Sequence, residues 1–327
     1  MAHTRESGAH VVVDLGGTNV RFAVAKRADA GAIEFSHITA YRLAAHPSFA
    51  AALEEFRHTR LEGAAVARLA IGAAGPVTGG TVALTNAPWT LDADDLAITL
   101  NGARVVIVND LQAVGRALPE LSASDIAPLH AAGAQPARAA AAATSRAPRL
   151  AVNVGTGFGA SACHAVPGHS GPRWLATATE AGHMSDAFRT ATAGADATVE
   201  DICSGAGLLA SANGFAVGPE RGAAFASAQD VCANAKDAAA AQALNRFGWT
   251  LGGAVRDLVL AHGAWGGVYL TGSVADAWWL TGVTTAFWAA YAGDNPMRAQ
   301  LDGVPMYRIT VDNPALIGLA ALLHDPA

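Results

Sequence analysis

Two glycine-rich turns, each following an apolar run, are the features of this sequence best suited to chemistry. The first is Gly16-Gly17-Thr18, after residues 11–15, and the second is Gly155-Thr156-Gly157, after residues 150–154. Backbone N–H groups of such a turn can face a phosphate, and the missing Cβ lets oxygen atoms approach closely. We therefore predict a pair of tight hairpins, with positive φ angles at the first two glycines, that hold the phosphates of one nucleotide.

Asp14 lies at the end of the first apolar run, beside the turn. Because Mg²⁺ binds oxygen ligands and keeps several of its waters, a carboxylate there could hold the hydrated ion. The alternative is structural, with the Asp14 side chain accepting hydrogen bonds from the backbone of the turn. Both interpretations remain open on the sequence.

Asn109 and Asp110 mark the point where the apolar run 104–108 gives way to a helical pattern over 111–118. Active-site groups gather at the carboxyl ends of strands in α/β sheets. Transfer of a phosphoryl group to an alcohol requires a positioned proton acceptor, and Asp can serve as one. The alternative role for Asp110 is to cap the helix.

Glu180 and His183 place a carboxylate and an imidazole three residues apart in a segment rich in small residues. A di-iron bundle would need such a pair on a carboxylate-rich helix, and Gly182 with the small residues around it disfavours a bundle helix here. A carboxylate accepts hydrogen bonds from sugar hydroxyls, whereas His can donate or accept, so the pair suits a polyol. The alternative is a surface Glu beside an incidental His.

Repetition of the strand–turn–strand pattern predicts the elements that position these residues. Each glycine turn leads into a second strand, and the two units recur once per half of the chain, which suggests two related α/β domains. Residues 47–70 read as mostly helical and 69–73 as another strand. A further glycine-rich exit, Thr271-Gly272-Ser273, follows the apolar run 267–270.

Composition excludes several classes of protein. The net charge of −6 argues against binding to nucleic acid, and 52% apolar with 15% charged residues argues against disorder. Glycines interrupt the most apolar stretch, 258–293, so we predict no membrane span. No signal-peptide core precedes the first valine run, so a cytoplasmic location is expected. Cys163, Cys203 and Cys232 are too scattered for a disulfide framework or a cysteine zinc site.

Eight segments, in this order, resemble those of the bacterial glucokinase family, in the hexokinase branch of the actin-like ATPase superfamily. They are DLGGTNVRFA, GPVTGGTVALTN, VNDLQAVGRALP, GTGFGAS, EAGH, EDICSGAGL, GGVYLTGSV and VDNPALIGLAALL. The resemblance implies two actin-like, ribonuclease-H-like α/β domains with mixed sheets flanking a central cleft. It places a small domain at 1–111, joined by the C-terminal helix 312–327, and a large domain at 112–311.

The same resemblance implies that glucose is phosphorylated at its 6-hydroxyl by ATP with Mg²⁺, and that Asp110 is the general base. The residues that it assigns to the sugar are Asn86, Asn109, Asp110, Glu180, His183 and Glu200. Those that it assigns to the nucleotide are Asp14, Gly16, Gly17, Thr18, Gly155, Thr156, Gly157 and Gly272. Asp14 would hold the metal through water. Members of the family often form dimers, so the resemblance also implies a possible homodimer.

One departure from the family pattern concerns Ala181, where Glu-Gly-Gly-His is usual and this chain has Glu-Ala-Gly-His. If that position needs a positive φ, Ala181 would be strained and Glu180 displaced. Two other classes share part of the pattern. A nucleotide-switch or scaffold protein of the actin-like superfamily would lack the Glu180, His183 and Glu200 set, and a sugar sensor would not need Asp110.

Overall fold

The computed structural model describes residues 8–28, 31–84, 87–130, 146–168, 173–186, 197–216 and 225–325. Contacts divide the chain into two compact units, one formed by 1–120 with 312–327 and the other by 121–311. Each unit has a hydrophobic core of its own, as an independent domain requires. The expected α/β class with mixed sheets is confirmed.

Unit 1 combines strands with helices that cover the sheet. Its strands are β1 (Ala9–Leu15), β2 (Asn19–Arg27), β3 (Ile33–Arg42), β4 (Val66–Ala73), β5 (Thr81–Ala83), β6 (Thr90–Asp92) and β7 (Arg104–Asn109). Its helices are α1 (Phe49–Arg60), α2 (Ala93–Thr99), α3 (Asp110–Ala117) and, from the C-terminal segment, α10 (Pro314–His324). A short 3-10 turn covers Leu43–Ala45.

The main sheet of unit 1 has the strand order β3-β2-β1-β4-β7. β1 and β2 form an antiparallel hairpin, whereas β1, β4 and β7 run parallel. Val11, Val12 and Val13 are fully buried, because parallel strands covered on both faces require continuous apolar runs. The carboxyl ends of three neighbouring strands therefore meet at one edge of this sheet.

Helix α3 belongs to unit 1, which places the division at 120/121, whereas the sequence predicted 111/112. α3 packs against α10, and Gly318 makes this packing possible because a Cβ there would overlap the Ala113 carbonyl oxygen. Buried Arg116 of α3 also donates to both carboxylate oxygens of Asp325, at 2.8 and 3.1 Å. A boundary before α3 would cut these contacts.

Unit 2 has its own mixed sheet and, in the described residues, more helices than unit 1. Its strands are β8 (Ile126–Leu129), β9 (Arg149–Val154), β10 (Phe158–Val166), β11 (Arg173–Thr179), β12 (Val268–Thr271) and β13 (Met306–Ile309). Its helices are α4 (Gly205–Phe215), α5 (Ala228–Ala233), α6 (Ala238–His262), α7 (Ser273–Leu280), α8 (Thr285–Tyr291) and α9 (Arg298–Leu301), with a 3-10 turn at Ala181–His183. Among the helices in the described ranges, none combines the length and the apolar character needed to cross a bilayer.

The sheet of unit 2 has the strand order β11-β10-β9-β12-β13-β8. β9, β10 and β11 are antiparallel neighbours, and β9, β12 and β13 run parallel. This pattern repeats that of unit 1, with β9 in the place of β1 and β12 in the place of β4. The repetition predicted from the two glycine turns thus extends to the sheets that carry them.

Candidate active site

The first glycine turn is a three-residue loop between β1 and β2. Leu15 pairs with Val20 across the hairpin, and the Gly16 N–H donates to the Asn19 carbonyl oxygen at 3.0 Å. Neither Gly16 nor Gly17 has a positive φ, so the predicted hairpin is confirmed but the positive φ angles expected at its glycines are wrong. A three-residue loop closes the hairpin without those angles, and a Cβ on Gly16 would make ordinary van der Waals contact with the Asn19 carbonyl oxygen, at 3.6 Å.

Asp14 is paired with a cation next to this loop. Its Oδ2 lies 3.5 Å from an Arg21 guanidinium nitrogen, and the two side chains are 28% and 34% exposed. Arg21 also donates to the Asn313 side-chain oxygen, which precedes α10. Burial raises the pKa of Asp14, Arg21 opposes this, and nearby Asp110 raises it further. A bound cation would relieve this excess of negative charge.

Asn109, and not Asp110, caps helix α3. The Asn109 side-chain oxygen accepts from the N–H groups of Leu111 and Gln112, at 3.0 and 3.2 Å, while its amide donates to the Gly75 carbonyl oxygen at 3.1 Å. The Asn109 side chain also hydrogen-bonds to the Asp110 carboxylate. Because Asn109 takes the capping role, the structural alternative considered for Asp110 loses its main support.

Asp110 occupies the first position of α3, where its Oδ1 accepts from the Leu111 N–H at 2.8 Å. Burial raises the pKa of Asp110, while the N–H groups at the helix start and the Asn109 side chain lower it. The second carboxylate oxygen keeps its acceptor capacity. Asp110 is therefore a half-buried carboxylate with a raised pKa at a strand end, as expected of a general base.

Asp14 and Asn109 lie within one residue of the same level of the sheet in unit 1. Asp14 is in register with Gly72 of β4, and Asn109 with the next residue, Ala73. Two strand spacings of about 4.8 Å separate their backbones by about 10 Å. Gly72 lies between them, and a Cβ on it would be 3.6 Å from the Asp110 Cα. The structure thus gathers the first glycine loop, Asp14, Asn109 and Asp110 at one sheet edge.

The second glycine turn is the matching loop of unit 2. It connects β9 to β10, with the Gly155 N–H donating to the Gly157 carbonyl oxygen at 3.0 Å. Neither Gly155 nor Gly157 has a left-handed φ. The Gly155 carbonyl oxygen accepts from the N–H of Gly205, the first residue of α4, at 2.9 Å. This loop is therefore held from one side by a helix N-terminus.

Glu200 lies against the second glycine loop. Its Oε2 accepts from the Phe158 N–H at 2.8 Å, and its own N–H donates to the Gly182 carbonyl oxygen at 3.0 Å. The carboxylate is half-buried. Unit 2 thus brings together Glu200, the glycine loop and the segment that contains Glu180 and His183.

Glu180 precedes a single 3-10 turn and His183 is its last residue, and both side chains are exposed. Ala181, at the position where the family has Gly, is buried without a positive φ, so the strain considered for it does not arise. The following position is the restricted one, because a Cβ on Gly182 would lie 2.6 Å from the Phe158 carbonyl oxygen. Ala181 is thus compatible with the turn.

Gly272 links β12 to helix α7 with φ of 103°. A Cβ on this residue would lie 2.7 Å from the Asn153 side-chain oxygen and closer still to the Val154 carbonyl oxygen. Asn153 pairs with Thr271, as Asp14 pairs with its β4 partner in unit 1. Gly272 therefore lies beside the base of the second glycine loop. Asn86 lies outside the described residues.

Nearly the whole chain matches known proteins in sequence. The family model described as Glucokinase matches residues 11–326. The chain belongs to the glucokinase family. A glucokinase of Cupriavidus pinatubonensis is 32% identical, covering 96% of this chain and 92% of the relative. The expectation of an enzyme that phosphorylates an alcohol is confirmed.

Solved structures of glucokinases have the same fold. A glucokinase from an Antarctic psychrotroph has a TM-score of 0.79 at 25% identity, over 98% of this chain and 99% of that one. A ROK family glucokinase from Streptomyces griseus, in complex with glucose and AMPPNP, has a TM-score of 0.62 at 18% identity, over 97% and 99%. This glucokinase-family chain therefore shares its fold with both of these glucokinases.

The donor set of this glucokinase-family protein suits Mg²⁺ held largely by water and phosphate. Within the described residues, no group of three or more His, Cys, Asp or Glu side chains could cage a metal ion. Mg²⁺ is usually bound through one or two carboxylates together with substrate phosphates, and hard oxygen ligands are its preference. Asp14 is a carboxylate beside the first glycine loop and fits that arrangement.

The sequence interpretation missed three contributors to the site. Arg21 could have been found, because a three-residue loop puts it opposite Asp14 in the hairpin register. Asn313 could not be paired with Arg21, since 292 positions separate the two. The bond from the Phe158 N–H to Glu200 spans 42 positions and has no local signature either.

Proposed function

We propose that this protein transfers the γ-phosphoryl group of ATP to the 6-hydroxyl of glucose, with Asp110 as general base, giving glucose 6-phosphate and ADP. The observation that carries the proposal is the state of Asp110. Its carboxylate follows the carboxyl end of the parallel strand β7, is half-buried, and is relieved of the capping role by Asn109. The family match over residues 11–326 supports the reaction class.

In this mechanism the 6-oxygen forms a bond to the γ-phosphorus, and the bond from that phosphorus to the β,γ-bridging oxygen breaks. The hydroxyl proton moves to Asp110. Burial raises the pKa of Asp110, which makes the carboxylate a better proton acceptor. Enzymes of this kind depend on alignment and charge neutralisation more than on covalent chemistry.

The nucleotide would be held by the backbone of the two glycine loops. The residues that we assign to its phosphates are Gly16, Gly17, Thr18, Gly155, Thr156 and Gly157. Gly272 would lie at the adenosine, and its missing side chain lets the segment pack against the Val154 carbonyl oxygen at the base of the second glycine loop. Asp14 would hold Mg²⁺ through water, and the ion supplies neutralisation of the phosphate charge when it is bound.

Sugar recognition would fall to residues whose side chains can donate or accept hydrogen bonds. Those that we assign are Asn86, Asn109, Glu180, His183 and Glu200. The exposed side chains of Glu180 and His183 are consistent with this role, since a ligand could replace their water. A site built to bond specific hydroxyls rejects an epimer that leaves its groups unpaired, at a cost of about 1–3 kcal/mol per group.

We further propose that the two units close when the sugar binds. Water is always present and can accept a phosphoryl group, so a kinase must withhold its catalytic arrangement until the proper acceptor is bound. A decrease in the radius of gyration on addition of glucose, measured by small-angle X-ray scattering, would support closure. An unchanged radius with saturating glucose would contradict it.

The reaction is tested by a coupled assay with ATP, Mg²⁺ and a panel of hexoses. We expect phosphorylation of glucose, clearly slower reaction with galactose, and release of one ADP per sugar phosphate. Equal rates with glucose and galactose would contradict the assigned sugar site. No turnover with any hexose, in a protein that is folded and binds ATP, would refute the proposed function.

Two related proposals complete this assignment. Members of the family often form dimers, so we expect a homodimer, which light scattering on the purified protein tests. A cytoplasmic location is also expected, and fractionation of the source cells tests it.

A further inference from the structure

Glu200 belongs to two loops at once. Its backbone N–H donates to the Gly182 carbonyl oxygen at 3.0 Å, which ties it to the segment between Glu180 and His183. Its carboxylate Oε2 accepts from the Phe158 N–H at 2.8 Å, at the point where the second glycine loop enters β10. One residue thus joins the proposed sugar segment to the proposed phosphate loop.

The space around this carboxylate is made by two glycines. A Cβ on Gly157 would lie 2.5 Å from the Glu200 Oε2, and a Cβ on Gly182 would lie 3.2 Å from the same atom. A side chain on either residue would therefore push the carboxylate away from the Phe158 N–H. Gly155, in the same loop, differs: a Cβ there would meet its nearest atom at 3.9 Å.

The loop has two anchors, and only one of them can respond to a sugar. At its start the Gly155 carbonyl oxygen accepts from the Gly205 N–H at 2.9 Å, a bond between backbone groups. At its end the Phe158 N–H is held by Glu200. A carboxylate offers about four acceptor positions, so Glu200 can hold this N–H and accept from a sugar hydroxyl together.

We propose that Glu200 is a positioning residue for the phosphate loop, through which the sugar and nucleotide sites are energetically coupled. A sugar hydroxyl on the carboxylate would fix its orientation, and the fixed carboxylate would hold the 155–157 loop in its phosphate-binding shape. This inference rests on the proposed function. Coupling between sites must be reciprocal, so each ligand should tighten the other by the same factor, typically about 5–150-fold.

The test is isothermal titration calorimetry of the full chain with glucose, with Mg²⁺-AMPPNP, and with Mg²⁺-AMPPNP at saturating glucose. In the unmodified protein we expect glucose to tighten AMPPNP binding at least about fivefold. In Gly157→Ala the new methyl displaces the carboxylate, so glucose binding without nucleotide should weaken about tenfold or more, and the coupling factor should fall to about 1. Gly214→Ala in helix α4 is the control, because Gly214 is not among the assigned binding residues and its Cβ would meet no atom within 4 Å.

Glu200→Gln separates the two roles and covers the case in which Gly157→Ala does not fold. Its amide oxygen can still accept from Phe158, whereas its amide nitrogen cannot accept from a hydroxyl. We expect nucleotide affinity without sugar to stay within about twofold, glucose affinity to fall about tenfold or more, and coupling to be lost.

Several outcomes would overturn this inference. They are a coupling factor of 1 in the unmodified protein, glucose affinity in Gly157→Ala equal to that in Gly214→Ala, and AMPPNP binding in Glu200→Gln that glucose tightens as much as in the unmodified protein. If the unmodified protein phosphorylates glucose but shows no coupling, only this inference fails. If it neither binds nor phosphorylates glucose, the proposed function fails with it.

Discussion

Replacement of Asp110 by Asn is the most informative single change in this protein. Asn has nearly the same shape, and its side-chain oxygen can accept from the Leu111 N–H as the carboxylate does at 2.8 Å. It cannot take the proton of the acceptor hydroxyl. Positioned general-base catalysis is worth about 10²–10⁴-fold, which at about 1.36 kcal/mol per decade corresponds to about 2.7–5.4 kcal/mol of activation free energy.

Stability should change in the opposite direction. Burial raises the pKa of Asp110, which means that the folded protein holds its ionised form less well than the unfolded chain does. At neutral pH the charge therefore destabilises the fold, and a neutral Asn removes that cost. We expect Asp110→Asn to lose turnover while its melting temperature stays the same or rises.

The assay is a coupled measurement of ADP release at saturating glucose, with ATP affinity and the melting temperature measured on the same preparation. Asp94→Asn is the control, because Asp94 is an exposed carboxylate in the first turn of α2. It should keep full turnover and lose about 0.3–1 kcal/mol of stability through the helix dipole. Near-normal turnover in Asp110→Asn, or a loss that follows a lower melting temperature, would refute this reasoning.

Three further predictions concern backbone constraints and pH. Gly272→Ala should destabilise by about 1–3 kcal/mol and weaken ATP binding, because its φ is 103° and its Cβ would crowd the Val154 carbonyl oxygen. Urea unfolding checks this against Gly282→Ala, whose φ is also positive but whose Cβ meets no atom within 4 Å, and equal losses would contradict it. Ala181→Gly should leave kcat and the glucose KM unchanged, since Ala181 already has an ordinary φ, and a gain in affinity would show that it displaces the sugar site. The acidic limb of kcat/KM should have its midpoint above 3.8, because Asp110 must be ionised to act and its pKa is raised; a midpoint below 3.8 would exclude it as the base.

Local patterns in the sequence predicted the hairpins and their place in the fold. The runs before the glycine turns become β1 and β9, and the runs after them become β2 and β10. The predicted helix over 47–70 was too long, because Glu62 and Gly63 have left-handed φ values of 51° and 80° and end α1. Gly63 is the residue type that favours such an angle after a helix, and an argument from periodicity alone does not use this signal.

The contacts that give the site its electrostatics were harder to predict, because they depend on tertiary packing. Capping could be assigned to Asn109 or to Asp110 on residue type, and the chain enters α3 so that Asn109 receives the two N–H groups. The raised pKa of Asp110 follows from burial, which a sequence does not report. Glu200 could be placed at the sugar through family resemblance, while its bond to Phe158 needed three-dimensional coordinates.

The C-terminal helix α10 sets an order for biosynthesis. Leu316, Leu319 and Leu323 are buried in unit 1, where α10 contacts α3 and β4, although α10 follows the whole of unit 2 along the chain. The two ends of unit 2 along the chain are joined within it, since its first strand, β8, pairs with its last strand, β13. On the ribosome, unit 2 can therefore mature while unit 1, made first, still waits for the helix that completes its core. We expect the nascent N-terminal segment to need protection from premature association longer than any other part of the molecule.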